Sequence, residues 1–540
     1  MKLRRDKNFV VTLVLLTVGL LLGLMSTQSE PARADTATSQ YGTVVQADAP
    51  MWRDDSLQTQ SGTAAAFAGQ TLTITRTMQI AGNEYAQVAR GQANLGIMRT
   101  SALKLSNGPQ GGALGFGKYV TITSKNYSVW GNFNWDKRNL SSKLYHHTYL
   151  AKVAYHHVNG GTYYSLYSGK HWVGYINAGA VKVGQGSQGA AISTNQYVTI
   201  TSKNYTVWGD FAWHSKRHKT ANYYHHTFNV KVAYYHSNGS VYYSLYQGNK
   251  WFGYLNASGV KAAKGAQGIA VGTNKYIKIS GKSGAVWGDF NWRSKRHMVK
   301  NWYNHVFQVK CTYYHSNGST YYSLYLDGLW FGYLNASATK PSSKPKPTAR
   351  SYAATSKTAK KTDQIVGVVG SGSHARVYLF EKSGGVWTQV FSVAGRVGYN
   401  GIGTAHEGSG RTPRGSYPLT YAFGTGSNPG TKLSYRRITR KSYYISNTKD
   451  KHYNTWQERS KSSSKDEHMA DYPTQYQYGI VIGYNHGVGG GSAFFLHVNG
   501  RGSTAGCVSV PRSTMLTFMR RIHRGAYIMN VTSTAQLAKY

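Results

Sequence analysis

The sequence predicts a mainly β protein, tandem small β-barrels followed by a separate β-rich domain that closes with a short C-terminal helix. Three observations carry this reading. The 540 residues are several times what one hydrophobic core organises, which allows three to five domains. Aromatic residues make up 14% of the chain, with 44 Tyr, and only 15% are charged, so bulk disorder and coiled coil are excluded for most of its length. The middle of the chain also repeats: Trp172, Trp251 and Trp330 open equivalent Trp-x-Gly-Tyr strands 79 residues apart, and a fixed period means tandem modules.

Taken in order, the chain opens with Lys2, Arg4, Arg5 and Lys7, an uncharged run over 9–25, and small residues at Ala32-Arg33-Ala34. This is the pattern of a secretory signal over 1–34, cut after Ala34 and leaving no stable membrane span. The alternative is a retained anchor, for which 17 apolar-leaning residues are marginal. Residues 41–105 form a degenerate copy of the repeat, and 118–183, 196–261 and 275–340 form three good ones. Each good copy strings β-branched and aromatic runs between Asn-Gly and Gly turns, the signature of short antiparallel strands and hairpins. Between copies lie Gly-x-Gln-Gly spacers at 108–111, 186–189 and 265–268, which read as flexible joints.

Over residues 41–340 the pattern resembles the GW-type modules of bacterial surface proteins, Src-homology-3-like barrels that hold anionic wall polymers, with Gly-Tyr standing where that family has Gly-Trp. The resemblance implies retention at the cell wall, with lipoteichoic or wall teichoic acid as partner. Charge points the same way. The chain carries +43, and the three good copies carry +7, +6 and +7 against +1 for the degenerate one, counting Lys and Arg minus Asp and Glu. A dense negative polymer is the natural partner of such surfaces, and export makes nucleic acid an unexpected one. His147, His226 and His305 recur in register, as do His157, His236 and His315, but no carboxylate or Cys stands at ligand spacing, so no metal is expected. Their protonation below about pH 6 is expected to raise the charge further.

Two Cys cannot build a disulfide framework. Export with so little cysteine suits a Gram-positive bacterium, so the expected location is secreted, at the wall or cell surface. Cys311 occupies the register of Val153 and Val232 and reads as a buried small hydrophobe. Residues 341–361, rich in Pro, Ser, Lys and Ala, read as an extended, solvated linker. Beyond it, over 362–531, the 79-residue pattern stops. Segments 364–369, 374–380, 386–393, 479–484 and 493–498 read as strands, and 512–524 as a core-facing helix.

The strand over 493–498 contains His497, and ten residues later comes Cys507. A thiol attacks only as thiolate, which a neighbouring base supplies, and Gly506 permits a sharp turn whose amides can face an oxyanion. Taken alone, the pair is a weak signal and favours an inert cysteine. The stretch resembles the YkuD-like L,D-transpeptidases: His497-Val-Asn-Gly500 matches the His-x-x-Gly of that family, and Thr504-Ala-Gly-Cys-Val508 its Ser-His-Gly-Cys segment. Upstream, Thr412-Pro413-Arg414-Gly415-Ser416-Tyr417 fits the family's Thr-Pro-x-Gly-x-Phe/Tyr. Thr504 replaces the motif Ser, Ala505 the second His and Ser509 the Arg.

The resemblance implies a cofactor-free, two-step acyl transfer on peptidoglycan stem peptides. Cys507 is the nucleophile and His497 its base, with Gly506, Thr504, Ser503 and Gly500 at the oxyanion or substrate. The outcome is a 3-3 cross-link. Alternatives are an L,D-carboxypeptidase and a catalytically inactive wall-binding or adhesive protein. The polar stretch 431–473 is either a lid over the site or a surface insertion.

Overall fold

A computed structural model describes residues 36–540; the expected signal, 1–34, lies outside the described residues. Among the described residues no helix is long and apolar enough to cross a membrane, and no group of three or more His, Cys, Asp or Glu is placed to hold a metal ion. The protein is mostly β and divides into two compact units, one of residues up to Ala191 together with Tyr234–Val241, the other of Ile192–Ala233 and Tyr242–Tyr540.

Four small seven-stranded sheets fill the region before residue 343, and all four have the same strand order, 3-2-6-5-4-1-7 when each is numbered from its own first strand. Each closes over its own apolar cluster, such as Val120, Ile122, Leu166 and Ile176 in the second, because alternate residues of its strands point inward. The first sheet differs at one corner. All four place a bulky residue in left-handed backbone there: Leu57 (φ 54°), Trp135 (68°), Trp213 (64°) and Trp292 (60°). In the later sheets that Trp sits in an aromatic nest; in the second, Trp135 meets Phe133, His157 and Tyr163 at ring separations of 6.1, 5.3 and 5.3 Å. In the first, Leu57 packs with Met78, Tyr85 and Ile97, so the fold needs an apolar cap at this corner but not an aromatic one.

The spacers are not the flexible joints their composition suggests. Gly111, Gly189 and Gly268 adopt φ of 79°, 79° and 74°, and a Cβ on Gly189 would fall 2.3 Å from the Thr148 hydroxyl. Glycine is needed here for a tight turn over a threonine pair rather than for freedom. Within the first unit the Val158 amide donates to the Pro109 carbonyl and the Ser237 amide to Ser187, both at 2.8 Å; within the second, Ser316 donates likewise to Ala266 at 2.8 Å. The recurring histidines also differ from expectation. Burial lowers the pKa of His157, His226, His236 and His315, so they gain charge only at lower pH than a free imidazole. Cys311 is half-buried rather than buried.

Nor is 341–361 a fully solvated linker. Thr348 and Ser351 form a capping box that starts helix Ala349–Ala354. Ala349, Ala353, Ala354 and Ala359 are buried against Ile365, Phe380, Trp387 and Met529 of the following domain. Composition misleads because the small residues hidden among Pro, Ser and Lys find an apolar surface that is distant in sequence.

The C-terminal domain is a closed barrel with one extra strand. Its sheet strands, numbered in chain order, are β1 (Gln364–Ser371), β2 (His374–Ser383), β3 (Val386–Arg396), β4 (Gly415–Gly424), β5 (Tyr435–Arg437), β6 (Gly479–Ile482), β7 (Phe495–Val498), β8 (Val508–Val510) and β9 (Tyr527–Val531). They run β5-β4-β6-β7-β8-β3-β2-β1-β9, and β9 returns to pair with β4. Strands β6 and β7 are buried along their whole length, as continuous apolar runs require when both faces are covered. Helix Arg512–Arg521 turns Met515, Phe518 and Met519 into the core.

Candidate active site

Strands β7 and β8 are parallel, with His497 opposite Ser509, so the loop between them crosses over one end of the sheet and carries Cys507 back to the base of β8. Backbone packing fixes that loop. A Cβ on Gly506 would lie 2.6 Å from the Phe494 ring and 3.1 Å from the Arg411 carbonyl, so only glycine fits. The Thr504 hydroxyl donates to the Cys507 carbonyl at 2.6 Å and accepts the Gly506 amide at 3.2 Å. The Gly506 N–H is therefore committed within the loop, and Gly506 serves the site through its shape. From the other side, Thr412, fully buried, accepts the Gly398 amide at 2.9 Å and donates to the Gly506 carbonyl at 2.7 Å.

A cavity of about 640 Å³ opens above this loop, and Cys507, His497, Gly506, Thr504, Ser503 and Gly500 all line it. Cys507 is 8% exposed; its Sγ accepts the Phe495 amide and donates to the Ala493 carbonyl, each at 3.3 Å. Burial, and to a lesser degree the carboxyl of Glu467, pushes the thiol pKa far up. His497 is 5% exposed, and burial lowers its pKa to about 4 against the weaker opposing pull of the Val498 carbonyl. At neutral pH both groups are neutral. Nδ1 of His497 lies 2.8 Å from the Val498 carbonyl, which can only accept, so Nδ1 carries the proton and Nε2 keeps its lone pair. Tyr476 packs edge-on against the imidazole at 5.4 Å.

Part of the remaining wall comes from the 431–473 stretch, which is neither a loose lid nor a plain surface insertion. It folds into a three-stranded sheet (Ser442–Tyr444, Trp456–Glu458, Glu467–His468) whose Tyr444 and Trp456 join Phe423, Phe495 and Cys507 in one buried cluster. Asp466 ties its loops, accepting the amides of Ser446 and Asn447 at 2.9 Å each. Glu467 and Tyr472 face the cavity. Ser509, at the motif Arg position, is buried on β8 and does not line it. A second histidine in the cavity is His406; His468 and His486 do not line it.

Residues 365–531 match the family model described as YkuD, the L,D-transpeptidase catalytic domain. The C-terminal domain is of the YkuD type. No curated protein matches the chain. Among solved structures it is similar to a crystal structure from Listeria monocytogenes provisionally designated an autolysin (15% identity, covering 42% of this chain and 96% of that one, TM-score 0.16). It is also similar to Bdellovibrio bacteriovorus Bd1075 (14% identity, covering 34% and 54%, TM-score 0.19). Likenesses with TM-scores this low do not bear on the fold. The sequence alone missed three features of the YkuD-type site: the clasp made by Thr412, visible only as part of a motif, and Glu467 and Tyr476, which no local signal marks.

Proposed function

We propose that the YkuD-type domain catalyses L,D-transpeptidation on peptidoglycan through a Cys507 acyl-enzyme, in an exported protein whose basic β modules hold it at the wall of a Gram-positive cell. One observation carries the reading: Cys507 and His497, twinned by parallel strands β7 and β8, face one cavity, with the imidazole held in the tautomer that can accept a proton.

The resting pair is neutral, so acylation proceeds by general-base catalysis rather than from a preformed ion pair. As the thiol attacks the carbonyl of the third stem residue, its proton passes to Nε2 of His497 and an S–C bond forms. The bond to the terminal D-Ala breaks, and the imidazolium returns the proton to that leaving amine. An amine of a neighbouring stem then attacks the thioester; the C–N bond forms, the C–S bond breaks, and the proton released by the amine returns to sulfur through His497. With water as second nucleophile the same steps trim the tetrapeptide instead. The test is incubation with purified tetrapeptide muropeptides. Dimers joined 3-3 and absent with Cys507→Ala establish the transferase, tripeptide monomers establish the carboxypeptidase, and unchanged substrate identifies a binding protein with a silent domain.

A further inference from the structure

The stretch that walls the cavity brings an acidic side chain to a place where it works against the nucleophile. Glu467 ends the three-stranded sheet of the 431–473 stretch, lines the cavity, and disfavours ionisation of Cys507. In a chain of 62 basic and 19 acidic residues, the other carboxyls near it have partners. Asp450 pairs with Arg459 at 2.5 Å, and Glu458 accepts Trp456 Nε1 and the Ser442 hydroxyl at 2.7 Å each. Asp466 is enclosed by amides and Ser462, and Glu407, also at the cavity, accepts the Tyr453 hydroxyl. Glu467 receives one hydrogen bond, from the Tyr476 hydroxyl, and makes no ion pair among the described residues. Lys465 and Arg501 also line the cavity but do not pair with Glu467, and burial raises its pKa to about 8, so the carboxyl stays protonated at neutral pH until an occupant brings a cation against it.

We propose that Glu467 is the residue that binds the ammonium group of the stem peptide, the side-chain amine of its diamino acid, and so selects substrates in which that amine is free. The proposal rests on the peptidoglycan reading above. Tyr476 sets the carboxyl in place, since it donates to Glu467 while its ring abuts His497. An ammonium bound beside Glu467 favours the ionised carboxyl, so the ion pair forms only when the amine is present.

The experiment separates binding from turnover. The full chain carrying Cys507→Ala, which cannot react, is titrated calorimetrically with a tetrapeptide whose side-chain amine is free and with the same peptide N-acetylated. The free amine is expected to bind roughly 10-fold to 100-fold more tightly, the range of a charge-assisted hydrogen bond. Adding Glu467→Gln is expected to abolish that preference while leaving affinity for the acetylated peptide unchanged. Equal binding of the two peptides, or a preference that survives Glu467→Gln, overturns the proposal. An enzyme that shows the preference yet never turns over leaves the subsite standing and removes the catalytic reading instead. In the reactive chain, Glu467→Gln is expected to leave acylation by a carbapenem, which lacks this amine, no slower; a parallel loss there assigns Glu467 to the thiol and contradicts an ammonium site.

Discussion

Replacing Thr412 by valine removes one hydroxyl and almost no volume, yet the account expects a large effect. That hydroxyl joins the loop after β3 to the carbonyl of Gly506, accepting the Gly398 amide at 2.9 Å and donating at 2.7 Å, with the Cys507 carbonyl a further 3.3 Å contact. Valine leaves a buried amide and a buried carbonyl without partners. Each such group costs about 1–3 kcal/mol, so the variant should lose about 2–6 kcal/mol. In a domain of this size that lowers the melting temperature by roughly 5–15 °C. Scanning calorimetry of the full chain should show the transition of the C-terminal domain shifting alone, with those of the β modules unmoved. Thr412→Ser keeps the hydroxyl and should recover most of the loss. Acylation of Cys507 should slow in the valine variant even well below its melting temperature, because the loop that presents the thiol keeps only its ties through Thr504 to Val397 and Tyr399. A valine variant with the native transition and the native rate would refute the clasp.

Three further outcomes follow from the same structure. His497 is neutral in the fold to about pH 4 whereas the unfolded imidazole protonates near 6.5. The unfolded chain therefore takes up a proton the fold refuses, and stability falls by about 3 kcal/mol as pH drops from 6.5 to 4; His497→Gln should flatten that part of the urea midpoint profile, and an unchanged slope would assign the acid sensitivity to the other buried histidines. A fragment beginning at residue 362 should be about 3 kcal/mol less stable than one beginning at 345, since it loses four buried alanine methyls, and equal midpoints in urea would show that helix Ala349–Ala354 adds nothing. Sedimentation of the full chain with purified walls should fall steeply between 50 and ~500 mM salt, through screening and counterion release; salt-indifferent retention would move the contact to the aromatic corners at Trp135, Trp213 and Trp292.

What could be read from the sequence was local or periodic. The 79-residue spacing of Trp172, Trp251 and Trp330 announced repeating β units, and His497 with Cys507 stood ten residues apart in a motif, so one short crossover was enough to bring them together. What could not be read depended on surfaces far apart in the chain. Glu467 reaches the cavity of Cys507 only because Tyr444 and Trp456 anchor its sheet against Phe423 and Phe495. Spacer glycines look alike whether they free the chain or fit a left-handed turn over a threonine pair; only the positive φ of Gly111, Gly189 and Gly268 tells them apart. The alanines of 349–359 read as linker because their partners, Trp387 and Met529, lie 28 and more residues away.

The central claim is that Cys507 is a nucleophile activated by His497, and intact-mass analysis after incubation with a carbapenem tests it most directly. The account predicts one covalent adduct per chain, mapping by peptide digestion to Cys507, absent in Cys507→Ala, and formed roughly 10²–10⁴-fold more slowly in His497→Gln, the usual worth of general-base help. No adduct on the native chain, or one that maps to the half-buried Cys311, would contradict it.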